Sequence, residues 1–201
     1  MSFCISCRRD LEVLGTLLCS ICWSKIEFIN SEEIYENYGV VRYNDVIRKL
    51  IHIFKYNSPW VLCDLFANWI SLLHYDLLKE IDIIIPVPIH RQKLMKRGYN
   101  QSAVIAKKLA YQYQKKCLLE ALLKIRHTKS QSTLSGDERR KNVIDSFKVN
   151  QNKAHLITGK NILLIDDVVT TGSTMIECKK VLSIANPKQI KTLSIAITKY
   201  E

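Results

Sequence analysis

Residues 161–175, NILLIDDVVTTGSTM, constrain the fold more than any other stretch of this chain. Four apolar residues, Ile162 to Ile165, read as a buried strand. Two carboxylates, Asp166 and Asp167, follow it. Thr170, Thr171, Gly172, Ser173 and Thr174 then open a segment with helical spacing. A strand tip carrying paired carboxylates, joined to a hydroxyl-rich helix N-terminus, suits a sugar phosphate. The carboxylates can accept hydrogen bonds from ribose hydroxyls. The hydroxyls and backbone N–H groups can cradle a phosphate with help from the helix dipole. Gly172 allows close backbone approach. No lysine follows the glycine, which excludes a nucleoside triphosphate P-loop. The bland alternative is a βα turn with polar caps.

The rest of the chain supplies an α/β pattern around this motif. Residues 35–42, 81–87, 147–149 and 190–198 read as further strands. Residues 45–54, 59–74, 100–114 and 173–182 have helical spacing. Lys55, Tyr56 and Asn57 read as a break after the first helix, structural sooner than ligand-binding. Ser58 caps the second helix, with Pro59 at its first position. Residues 117–125 fit strand or helix equally. Strands alternating with helices imply a parallel sheet, whose ligands bind at the carboxyl ends of strands.

Near the N-terminus, Cys4-x-x-Cys7 and Cys19-x-x-Cys22 are two knuckles of the kind that surround one tetrahedral Zn²⁺. A segment this short builds no core alone, so the metal would supply its folding energy. Disulfides are the competing use, but a chain of this character is expected in the cytoplasm. Its first ten residues do not read as a signal peptide, because charge follows the short apolar part. No apolar run reaches the length of a membrane span. Residues 1–30 are expected to form the zinc knuckle, and residues 31–201 the main domain. Cys63, Cys117 and Cys178 read as buried thiols, and the five histidines form no metal spacing.

Charge is unevenly placed. Residues 88–148 hold 15 Lys and Arg against 4 Asp and Glu, which equals the net +11 of the whole chain. Such a surface favours polyanions, unless it is a solvated helical face. Within it, Pro86 and Pro88 bracket the end of the second strand, and Pro88, Ile89, His90 and Arg91 lead into Lys93, Lys96 and Arg97. These cations can neutralise pyrophosphate beyond a second strand tip. Gly98 allows an unusual turn, and Asn100 can cap the next helix. Residues 128–142, TKSQSTLSGDERRKN, form a polar segment in which Gln131, Arg139 and Arg140 can bind anions, or which is simply a surface loop.

The order CxxC…CxxC, FKYN (54–57), IIIPVPIHRQKLMKRGYNQS, TKSQSTLSGDERRKN and LLIDDVVTTGSTM resembles the ComF family, of the ComFC type linked to natural competence. The last of these motifs resembles the PRPP loop of type I phosphoribosyltransferases. The resemblance implies a type I phosphoribosyltransferase-like parallel sheet flanked by helices, after a small N-terminal zinc knuckle. It implies handling of incoming single-stranded DNA, with other competence or recombination proteins as partners. Asp166 and Asp167 would fall on the ribose hydroxyls of PRPP or ribose 5-phosphate. Residues 170–174 would fall on the 5-phosphate, with Mg²⁺ on the diphosphate. The turn after Pro88 would be the pyrophosphate loop, and residues 131–142 the flexible loop. Tyr99, Tyr111 or Tyr113 would stack on bases. The competing reading is an active phosphoribosyltransferase with an unidentified acceptor. Purine-salvage enzymes with this motif carry an aspartate where Thr170 stands. A threonine hydroxyl is a poor general base near neutral pH, which argues against purine salvage.

Overall fold

In the computed structural model, residues 3–13, 15–29, 37–57, 59–126 and 143–198 are described. Ser58 and the segment holding Gln131, Arg139 and Arg140 lie outside them, as do residues 35–36 of the first expected strand. Among the described residues, five strands form a wholly parallel sheet. They are β1 (Tyr38–Arg42), β2 (Ile83–Pro86), β3 (Lys116–Cys117), β6 (Asn161–Val169) and β7 (Gln189–Ile197), in the spatial order β1-β7-β6-β2-β3. An antiparallel pair, β4 (Leu122–Lys124) and β5 (Phe147–Val149), lies apart from it. The stretch at 117–125 that fits strand or helix is thus the end of one strand and the whole of another.

β6 explains why the sheet is covered on both sides. Its Leu163 and Ile165 join a core with Leu50, Phe54, Phe66 and Leu109. These come from α2 (Asp45–Tyr56), α3 (Pro59–Leu73) and α6 (Gln101–Gln112). Its Ile162 and Leu164 join Leu122, Phe147, Cys178 and Leu182 on the other face. That side is built by the β4–β5 pair and α8 (Ser173–Ser183). A continuous apolar run is what a strand buried on both faces requires.

The N-terminal segment packs on the first of these cores. It holds α1 (Ser20–Trp23). Cys4, Leu18, Cys19, Cys22 and Ile26 are buried in the same cluster as α2 and α3. Trp23 meets Trp69 at 5.9 Å between ring centroids, and Phe28 meets Trp69 at 5.3 Å, both edge-on. Such pairs stabilise beyond the area they bury. Where β1 passes beneath, Gly39 leaves no room for a side chain. A Cβ there would lie 2.4 Å from Ile197 Cδ1.

Several expected boundaries move. α2 does not break at Lys55 but runs through Tyr56. Helical geometry continues because Phe54 is buried, and the Asn57 N–H still bonds to the Ile53 carbonyl. The strand expected at 162–165 extends to Val169, so the carboxylates lie within it and not beyond its tip. Pairing with β7 persists there, at Asp166 with Ser194 and Val168 with Ala196. The basic run after Pro88 is a short helix, α5 (Arg91–Arg97), and not an open turn. Two more short helices, α4 (Tyr75–Glu80) and α7 (Gln151–Ile157), had no clear apolar stripe to announce them. Among the described residues, no helix is long and apolar enough to cross a membrane.

Candidate functional site

Chain topology opens a cleft between β2 and β6. From β2 the chain moves through α5 and α6 to β3 on one flank, and from β6 through α8 to β7 on the other. The two crossovers cover opposite faces, as their core partners show. Neighbouring strands whose connections diverge in this way leave a crevice at their carboxyl ends. β2 pairs with β6 only as far as Pro86 opposite Ile165. Asp166 and Asp167 come next, at the mouth of the crevice.

Both carboxylates are held firmly. Asp166 Oδ1 accepts from the Ser102 hydroxyl at 2.8 Å and from the Asp167 N–H at 2.8 Å. Burial, and then the charge of Asp167, push the Asp166 carboxyl up to about 7, against Ser102, the Asp167 N–H and Lys55. Asp167 is buried, and its Oδ2 lies 2.5 Å from Lys55 Nζ. Burial works to lower the Lys55 ammonium, but Asp167 outweighs it and the group is held above its ordinary value. Sequence alone places Lys55 at the end of a helix, structural sooner than ligand-binding. It is part of the site, on the last turn of α2.

The loop after β6 has the expected form. Gly172 adopts φ 71°, the left-handed region, and stands immediately before α8 with no side-chain cap. The Thr171 and Ser173 hydroxyls are 2.7 Å apart. The first turn of an eleven-residue helix therefore faces this hydroxyl cluster. Such a terminus favours an anion. Thr170 is half-buried just before Thr171, and Thr174 follows Ser173 into the helix.

Across the cleft, Val87 donates its N–H to the Ile165 carbonyl. Pro88, Ile89 and His90 follow, all half-buried, and His90 begins α5 by accepting from the Gln92 N–H at 3.3 Å. Arg91 and Lys96 are exposed on that helix. Arg97 lies 5.1 Å over the Tyr56 ring and donates to Gln101. Gly98, at φ 84°, ends α5 in the left-handed region. Asn100 caps α6 as expected, accepting from Ser102 N, and its amide donates to Val87 O at 2.9 Å. That pair of bonds ties Ser102 to the end of β2.

Burial lowers the Lys93 ammonium, with Arg97 adding to it. Lys124, in β4, is lowered by burial and then by Lys93, while Asp166 opposes. Lys55 and Lys124 thus face the acidic pair, while Lys93 and Arg97 interact with those lysines. Lys124 had no local signal in sequence. A lone lysine in a two-sided strand looks like any solvated residue until the sheet places it.

The expected stacking tyrosines fare unevenly. The Tyr99 hydroxyl is committed to Phe54 O, and Tyr113 packs against Tyr75. Tyr111 is exposed, as are Tyr56 and Trp60 beside the α2–α3 junction.

A second centre sits at the N-terminus. The four sulfurs of Cys4, Cys7, Cys19 and Cys22 lie within 4.8 Å of one another, with Cys7 Sγ and Cys19 Sγ 3.6 Å apart. Zn–S bonds of about 2.3 Å in a tetrahedron put sulfurs nearly 4 Å apart, so this donor set fits a structural Zn²⁺. Burial raises the Cys4 thiol, yet backbone N–H groups of Cys19, Cys7 and Ser6 bring it down to about 6. Cys22 is pushed up to about 12 by burial and the neighbouring thiols. Burial also raises Cys63, Cys117 and Cys178, as inert thiols require, although Cys117 is only half-buried.

Residues 96–199 match the phosphoribosyl transferase domain family. The chain belongs to that family. The match covers α6, the acidic pair and the loop into α8. The chain also has relatives across nearly its full length. It is 26% identical to competence protein F of Haemophilus influenzae, over 96% of each chain. It is 28% identical to competence protein ComFC of Streptococcus pneumoniae, over 96% of this chain and 86% of that one. It is 34% identical to the DNA utilization protein YhgH of Escherichia coli O157:H7, over 71% of this chain and 63% of that one. The ComF resemblance of the motifs is borne out.

Proposed function

We propose that this chain is a cytoplasmic competence protein that handles single-stranded DNA, with a site for PRPP or ribose 5-phosphate. The observation that carries the reading is the acidic pair at the switch-point crevice, beside a helix N-terminus with no side-chain cap and faced by Lys55 and Lys124. Asp166 and Asp167 are assigned to the ribose end. Thr170, Thr171, Gly172, Ser173 and Thr174 are assigned to the 5-phosphate. Pro88, Ile89, His90 and Arg91 are assigned to the diphosphate. Mg²⁺ is a hard ion and would be held by the diphosphate oxygens and water, where it offsets their charge. Zn²⁺ is assigned to the four cysteines as a structural ion. Other competence or recombination proteins are the expected partners, as the relatives' names suggest.

DNA binding is assigned to the basic third of the chain, residues 88–148. Lys and Arg would follow the backbone without reading sequence. Binding should therefore fall steeply as salt rises. Replacing Lys93, Lys96 and Arg97 together with Gln is expected to weaken binding equally for all sequences. It should also flatten the log–log salt slope by about 2, three single-strand phosphate contacts' worth. A mobility-shift titration of mixed-sequence oligonucleotides across a salt series measures both. Absence of a complex at low salt, or a complex indifferent to these substitutions, contradicts the assignment.

A second reading, a working phosphoribosyltransferase with an unidentified acceptor, is favoured by the complete acidic loop. Release of pyrophosphate from PRPP upon addition of an acceptor separates it from a binding role. Thr170 offers no general base for such a step.

A further inference from the structure

Asp166 and Asp167 are neighbours in β6, but different parts of the protein hold them. Asp167 Oδ2 is paired with Lys55 at 2.5 Å, and its Oδ1 accepts from the Val168 N–H at 2.9 Å. Both oxygens are engaged, and the side chain keeps 6% of its exposure. Lys55 is itself well anchored. Phe54 before it is fully buried, and the Phe54 carbonyl accepts from the Tyr99 hydroxyl. A ribose hydroxyl that displaced Lys55 would replace an ion pair with a neutral contact at a desolvated carboxylate. That exchange is unfavourable. Asp166 is different. Its known donors, Ser102 and the Asp167 N–H, both converge on Oδ1, and the residue is only half-buried.

Resting on the sugar-phosphate reading above and narrowing its ribose assignment from the acidic pair to Asp166, we propose that Lys55 is a positioning residue that withdraws Asp167 from ligand recognition, leaving Asp166 to read the ribose diol. With its charge met by Lys55, Asp167 then adds little net negative charge to the crevice. An anionic furanose 5-phosphate meets less repulsion there, and the acidic pair has its counter-ion built in. Asp167 acts through its backbone N–H, which steers the Asp166 carboxylate, and through its pair with Lys55, which fixes the end of α2 against β6.

Titration of ribose 5-phosphate by calorimetry tests this on the full chain. Asp166→Asn should lose about tenfold or more in affinity, the usual cost of one charge-assisted hydrogen bond. The double variant Lys55→Met with Asp167→Asn removes both charges in nearly equal shapes. It should lose clearly less affinity than Asp166→Asn does. Lys55→Met alone should bind more weakly than the double variant, because Asp167 is left charged beside the ligand.

The pH dependence gives a second readout. The groups that face Asp166 are Asp167 on its own strand, Lys55 from α2, Ser102 from α6, Lys124 from β4 and Cys178 from α8. Asp167 raises the Asp166 carboxyl more than Lys55 lowers it. The pH of half-maximal binding should therefore fall in the double variant and rise in Lys55→Met. Equal losses in Asp166→Asn and the double variant would show that Asp167 touches the ligand and overturn the proposal. No binding by the unaltered protein would overturn the sugar-phosphate reading itself, and this proposal with it.

Discussion

Replacing Cys19 with Ser, or stripping the metal with a chelator, is expected to unfold residues 3–29 and expose the apolar face beneath. Four thiolates around one ion, as assigned above, would make the largest single contribution to this segment. Apparent metal-binding energies for such knuckles are on the order of 10 kcal/mol, and there they are folding energy. Cys4, Cys19 and Cys22 lie in the same core cluster as Leu50, Phe54 and Phe66, so the loss should not stay local. Trp23, Phe28 and Trp69 contact one another across the junction. Tryptophan fluorescence should shift to the red as the metal leaves. Elemental analysis should find one zinc per chain. Native protein with no zinc and four free thiols contradicts the assignment.

Lys55→Met should be the most destabilising single change at the candidate site. Lys55 keeps 24% of its side-chain exposure and Asp167 6%, so removal of the ammonium strands a carboxylate in a desolvated position. Losing one partner of a buried pair costs about 3–5 kcal/mol. For a chain of this size that lowers the melting temperature by roughly 10 °C. Adding Asp167→Asn should recover most of the loss, because the stranded charge is then gone. Thermal unfolding of the two variants checks this. Equal melting temperatures for Lys55→Met and the unaltered protein would mean that water already solvates the pair.

Some of this architecture was legible in the sequence for clear reasons. The β2 and β6 runs are apolar on both faces, so they announce buried parallel strands without a periodicity to interpret. Asn100 and Gly98 signal a cap and a left-handed turn by residue type alone, and both occur where expected. The paired CxxC spacing and the acidic loop carry their chemistry locally. What stayed hidden depends on contacts distant in sequence. Ser102 meets Asp166 from 64 residues away, and Lys55 reaches Asp167 from another helix. α5 was hidden because none of its residues is buried, so it has no apolar stripe. The end of β6 is hidden because Asp166 and Asp167 look like a turn, while pairing with β7 keeps them in the strand. A helix that stops for polar residues in sequence can continue when its last turn has a partner to meet, as Lys55 does.

The central claim is that a phosphoribosyl ligand occupies the crevice at Asp166 to Thr174, and calorimetric titration of PRPP with Mg²⁺ tests it most directly. The unaltered protein should bind, and the double variant Asp166→Ala with Asp167→Ala should show no measurable ribose recognition. Thr171→Ala should weaken binding by about tenfold, near the cost of a phosphate hydrogen bond. Equal PRPP affinity in the unaltered protein and the double alanine variant would contradict the account and put the ligand elsewhere.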